Sequence, residues 1–145
     1  WGRVDFDVHH WPLRLLGTHD AFVFSAGSLE AQWGDAFDFP KTFYMLMLSQ
    51  VLKRNGVAVA VSSVAADRPA KVNAHYAAAK AALESYARTM ADSSVARLMN
   101  WRVEVVKFDL VDTDMLRQLP PETLVGRTII SAEEAATRIV RIIHG

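Results

Sequence analysis

Asn55-Gly56-Val57-Ala58-Val59-Ala60-Val61-Ser62-Ser63 is the stretch from which the fold is read. Its five apolar residues show no polar alternation, the pattern of a central parallel strand covered on both faces. Asn55-Gly56 supplies a turn before it, and Ser62-Ser63 ends it. Two further runs read the same way. Ala21-Phe22-Val23-Phe24 is entered from Asp20 and stopped by Ser25-Ala26-Gly27-Ser28. Val103-Glu104-Val105-Val106-Lys107-Phe108 leads into Asp109-Leu110-Val111-Asp112-Thr113. A short candidate fourth strand is Val4-Asp5-Phe6-Asp7-Val8. Helical apolar spacing lies between and after these runs, over Lys41 to Arg54, Asn73 to Leu98 and Ser131 to Ile143. Ser131 suits an N-cap, with Glu134 placed for a capping box. Strands separated by helices predict an α/β fold with a parallel sheet flanked by helices.

The chain has 145 residues, the size of one domain, here 1–145. Sixteen basic residues balance sixteen acidic ones, so no electrostatic footprint points to nucleic acid or an anionic membrane. No apolar run approaches the roughly 20 residues that span a bilayer. The start, Trp1-Gly2-Arg3-Val4-Asp5, lacks the basic and apolar regions of a signal peptide. The absence of cysteine excludes disulfides and thiolate metal sites. His9, His10, His19, His75 and His144 lack metal-ligand spacing, and no metal is assigned. These features read as a soluble, cytoplasmic domain. Because the chain does not begin with methionine, it is also read as processed, trimmed or part of a longer protein.

Ligands of open parallel sheets bind beyond the carboxyl ends of the strands. Those ends are Ser25-Ala26-Gly27, Ser62-Ser63, and Asp109 to Thr113, all small or polar after apolar strand bodies. Tyr76 and Lys80 lie four apart on a helix, hence on one face. An ammonium at about 5 Å from a phenolate is worth roughly 3 kcal/mol at an effective dielectric of ~20, on the order of two pKa units. The expectation is a tyrosine pulled down toward the range of a working acid or base, with Ser63 hydrogen-bonding the oxygen that gains or loses the proton. Taken singly, these features are ordinary. Ala26-Gly27 is a common strand-to-loop turn, Thr113 suits an N-cap, and Glu84 pairs better with Arg88 than with Lys80.

Ser62-Ser63-Val64-Ala65, then Tyr76-Ala77-Ala78-Ala79-Lys80-Ala81-Ala82-Leu83, resembles the catalytic stretch of the short-chain dehydrogenase/reductase family, down to the Ser63-to-Tyr76 interval. Phe24-Ser25-Ala26-Gly27 resembles the family's Asn-Asn-Ala-Gly strand end, Asp7-Val8 its adenine-contacting pair, and Thr113-Asp114-Met115 its Thr-Asp-Met. Ala132-Glu133-Glu134-Ala135-Ala136 resembles the start of its late helix. The resemblance implies a Rossmann-like sheet and an NAD- or NADP-dependent oxidoreductase that interconverts an alcohol and a carbonyl. Tyr76 would handle the proton, Lys80 would lower its pKa and hold the nicotinamide ribose, and Ser63 would orient the substrate. Asp7, Val8, Ala26, Gly27, Tyr76, Lys80 and Thr113 would contact the cofactor. It also implies a homo-oligomer paired through the helices near 41–54 and 73–98.

Three departures accompany the resemblance. The glycines, at 2, 17, 27, 34, 56, 126 and 145, form no Gly-x-x-x-Gly-x-Gly turn, so the sheet is expected to be N-terminally truncated. Phe108-Asp109 replaces a Pro-Gly before Thr113. The stretch from Gly27 to Ser63 is short, and Asp38 lies nearest to where the family carries a helix asparagine. The alternatives are a catalytically idle subunit or scaffold, and a piece of a longer enzyme. Residues Leu116 to Arg127 hold no charged cluster that would mark an anionic substrate.

Overall fold

The computed structural model describes residues 19–27, 35–49, 52–68 and 74–145. Strand β1 (His19–Phe24), helix α1 (Asp35–Leu48), strand β2 (Leu52–Ser63), helices α2 (Ala74–Ala91) and α3 (Ser94–Met99), and strand β3 (Arg102–Phe108) follow in that order. They build a parallel sheet of order β1-β2-β3. The central place of β2 accounts for its unbroken apolar run. Beyond β3, β4 (Leu110–Val111) pairs in parallel with β5 (Ile129–Ile130), and α4 (Ala132–His144) packs against β2 and β3. The α/β class and the flanked parallel sheet are as read from the sequence. The candidate strand Val4–Val8, with Asp7 and Val8, lies outside the described residues.

Helices α1 and α2 pack together, and α2 lies on the sheet. Ala58 and Ala60 of β2 join Phe24, Phe43, Leu46, Met47, Leu83, Ala87 and Met90 in one buried core. Alanine on the strand leaves room for the larger side chains facing it, the large-against-small packing of dense interiors. Phe43 lies 6.1 Å from Phe22 and 5.7 Å from Phe24 between ring centroids, and Tyr44 lies 5.2 Å from Tyr86 across the two helices.

Two helices differ from the sequence reading. The helix expected over 41–54 runs instead from Asp35 to Leu48, with Pro40 inside it, and β2 begins at Leu52. Leu52 pairs with His19 and Val57 with Ala21, so Lys53 to Gly56 bulge opposite Asp20 alone. Asn55 takes a left-handed φ of 65° there. Leu52 is fully buried, so its apolar character belongs to the strand's anchor and not to a helical stripe. The helix expected over 73–98 breaks at Asp92-Ser93. Ser93 caps α3, its Oγ accepting from Ala96 N–H at 3.0 Å, because serine and aspartate favour caps over helix interiors. Ser131 caps α4 as expected, accepting from Glu134 N–H at 3.0 Å. The Glu134 carboxylate, however, meets Arg138 at 2.6 Å.

Candidate active site

The carboxyl end of β2 delivers Ser63. With φ −137° and ψ 150°, Ser63 caps a 3₁₀ turn over Val64–Asp67, and its Oγ accepts from Ala65 N–H at 3.2 Å. The hydroxyl proton stays available, and Ser63 is hydrogen-bonded to the Tyr76 side chain. Tyr76 stands in the first turn of α2, with Lys80 one turn further on. Lys80 is only 5% exposed. Its Nζ donates to Ala26 O at 2.9 Å and Val61 O at 2.8 Å, and lies 5.8 Å from the Tyr76 ring centroid. The ammonium therefore ties α2 to the ends of β1 and β2.

The electrostatics differ from the sequence expectation. Burial pushes the Tyr76 phenol up from its ordinary value, and the hydrogen bond from Ser63 opposes that rise. Burial lowers Lys80 to about 8. The predicted downward pull of Lys80 on Tyr76 is not what governs the phenol. The reason is geometric: two strand carbonyls hold the ammonium, and removal from water is the larger effect on the phenol. At neutral pH Tyr76 is a protonated phenol.

Ser63, Tyr76 and Lys80 line one open cleft of about 610 Å³, within the range of small-molecule sites. Ser25, Gly27 and Thr113 line it as well, while Phe108, Leu110, Val111, Met115, Leu116 and Leu119 supply an apolar wall. Asp109 and Arg127, also on its lining, form an ion pair through two Arg127 nitrogens. Gly27 is where backbone must pass close to the site. A Cβ there would stand 3.2 Å from Lys80 Nζ and 3.5 Å from Tyr76 Cε2.

The family model described as short chain dehydrogenase matches residues 17–123. The chain belongs to the short-chain dehydrogenase family. No curated protein matches it. Among solved structures, BdcA in complex with NADPH superposes with a TM-score of 0.71 at 24% identity, over 90% of this chain and 61% of that one. A short chain dehydrogenase/reductase family protein gives 0.70 at 25%, over 88% and 60%. A short-chain dehydrogenase/reductase from Brucella melitensis, named glucose/ribitol dehydrogenase, gives 0.54 at 29%, over 74% and 46%. The chain thus spans about three fifths of the length of the first two.

Within this family member, the structure brings Ser63, Tyr76, Lys80, Gly27 and Thr113 to one cleft. Ala26 is set apart. It lines a void of about 10 Å³ behind Lys80, with Phe39, Ala79 and Leu83, and presents its carbonyl to Lys80. Thr113 caps no helix; its hydroxyl donates to Val111 O at 3.3 Å. Sequence reasoning missed the Asp109–Arg127 pair and Arg68, which lines the same cleft. The substituted Phe108-Asp109 was the available signal, but no local rule names a partner 18 residues on. Among the described residues no cluster of His, Cys, Asp or Glu is placed to hold a metal, and no helix is long and apolar enough to cross a membrane.

Proposed function

We propose that this chain carries the proton-transfer site of an NAD(P)-dependent short-chain dehydrogenase/reductase that interconverts an alcohol and a carbonyl. The observation that carries the reading is the shared cleft, in which the Tyr76 phenol is hydrogen-bonded to Ser63 beside the buried Lys80. Tyr76 would donate its phenolic proton to the carbonyl oxygen during reduction, and accept one during oxidation. Ser63, which accepts from Ala65 N–H through one of its lone pairs, would turn its hydroxyl proton from Tyr76 to the same substrate oxygen and hold it in place. Such general-acid assistance contributes typically about 10²–10⁴-fold.

The donor set suits the nicotinamide end of a cofactor. Ser25, Gly27, Lys80 and Thr113 offer polar or bare-backbone contacts around the cleft, and the bound nicotinamide would supply or accept the hydride at C4. The pyrophosphate end finds no glycine turn among the glycines of this sequence. The dependence on NAD or NADP therefore rests on the nicotinamide side alone. BdcA was solved with NADPH, which supports the cofactor class.

The reading also pairs α1 and α2 with a second copy, acting in the cytoplasm. Met45 and Leu48 expose apolar surface on α1, at 39% and 43%. A second reading, a noncatalytic subunit or scaffold, is favoured by the substituted Phe108-Asp109, with Asp109 engaged by Arg127 on the cleft lining.

Fluorescence titration with NADH and NADPH separates the two. Saturable binding, with turnover lost at least about 10²-fold in Tyr76→Phe while binding persists, is the expected result. If neither nucleotide binds saturably, the oxidoreductase reading fails for this chain alone.

A further inference from the structure

A carboxylate that the mechanism does not use lies buried directly behind the site. Glu84 is 4% exposed and stands one turn beyond Lys80 on α2. Its Oε1 accepts from Ser62 Oγ at 2.6 Å. Its Oε2 lies 3.0 Å from Lys107 Nζ on β3 and 3.4 Å from Arg88 Nη1. Lys107 in turn meets Asp67, the last residue of the 3₁₀ turn, at 2.7 Å. One carboxylate thus joins the tip of β2, the strand beside it and, through Lys107, the turn that Ser63 caps.

Packing alone does not call for a charge here. Burying a carboxylate is costly, and an apolar residue of similar volume commonly gives an equal or more stable core. What the charge adds is a fixed geometry. Ser62 immediately precedes Ser63, so the 2.6 Å bond to Glu84 sets the height of the strand tip against α2, where Tyr76 stands two turns earlier.

We propose that Glu84 is a positioning residue. Through Ser62 and through Lys107 with Asp67, it holds Ser63 in hydrogen-bonding register with Tyr76. The proposal rests on the reading of Tyr76 as the proton-transfer group for its consequence in turnover, but the register itself is measurable without substrate.

The test is NMR titration of the full chain carrying ¹³Cζ-labelled tyrosine, from pH 7 to about 11.5, with the Tyr76 resonance assigned by its loss in Tyr76→Phe. Glu84→Ala should raise the Tyr76 midpoint by roughly half a unit or more, because the phenolate loses its bond from Ser63. Ser62→Ala should move it the same way by less. Glu84→Gln, whose amide oxygen still accepts from Ser62 but no longer holds Lys107, should fall between parent and Glu84→Ala. Tyr44 and Tyr86, at the α1–α2 contact, should not move. An unshifted Tyr76 in both Ser62→Ala and Glu84→Gln, with only the melting temperature lowered, overturns the proposal. Equal shifts of all three tyrosines, reporting general loosening, overturn it as well. If Glu84→Ala fails to fold, the two milder variants decide. No cofactor enters the measurement, so a failure of turnover, which bears on the proposed function, leaves this result standing.

Discussion

Raising the pH from 7 to 9 should stabilise this protein through Lys80, and should cease to do so once Lys80 is replaced by methionine. The ammonium is 5% exposed, and burial lowers it from 10.5 to about 8. Between those two values the unfolded chain binds the proton and the folded chain releases it, so stability rises with pH. The contribution is complete above 10.5 and is lost as the pH falls through 8. Linkage over pH 7 to 9 gives a gain of about 1 kcal/mol, or roughly 3 °C in Tm for a chain of this size. Tyr76 and Lys107 shift the opposite way, both upward. Their stabilisation is present below about pH 10 and is lost above it, outside the window. Lys80→Met leaves Ala26 O and Val61 O without their donor, an offset of about 1–3 kcal/mol at every pH. The slope, not the offset, is therefore the observable. Urea denaturation of parent and variant at pH 7, 8 and 9 measures it. Parallel stability curves would refute the assignment of a buried, half-titrating ammonium.

Two glycines give further predictions. Gly56→Ala places a Cβ 2.9 Å from Lys53 O and 3.0 Å from the buried Leu52 Cβ. Neither can move cheaply, so a loss of about 1–3 kcal/mol in urea denaturation is expected; an unchanged midpoint would contradict the bulge geometry. Gly27→Ala meets the end of Lys80 at 3.2 Å, a side chain that could yield if two carbonyls did not hold it. It should displace the pH dependence carried by Lys80 and lower the denaturation midpoint at neutral pH, both read by the same urea series.

The sheet was legible because its signal is local. An unalternating run such as Val57 to Val61 can be little else than a doubly covered strand, and the serines after it mark the end where ligands bind. The Tyr76 and Lys80 spacing was legible for the same reason, since four residues on a helix fix one face. What failed depended on partners distant in sequence. The 41–54 helix was overrun because Leu52 continues the apolar spacing, while its burial comes from a bulged strand paired to His19. The direction of the Tyr76 shift was misjudged because spacing gives proximity to Lys80 but not the carbonyls of Ala26 and Val61 that claim the ammonium. Glu84 was matched with Arg88, a contact that exists at 3.4 Å. Its shorter bonds, to Ser62 and Lys107, cross between elements that no helical rule connects.

Lys80 and Glu84 illustrate how such a site resists the easier arrangement. Four apart on α2 and both buried, they could neutralise each other, though lysine before glutamate is the weaker order on a helix. Instead each turns to the sheet. Lys80 satisfies carbonyls at the ends of β1 and β2, while Glu84 takes Ser62 and Lys107 from β2 and β3. Strand-end carbonyls lie beyond the ladder and require a donor once buried; a buried cation with two carbonyl partners meets that need and its own. The consequence is that α2 is fastened to all three strands at their carboxyl edge, the edge that faces the cleft. A helix so fastened can neither slide along the sheet nor roll on it without breaking charged hydrogen bonds. Tyr76, in its first turn, thereby inherits a fixed position relative to Ser63, which is the rigid support that a proton-transfer site requires.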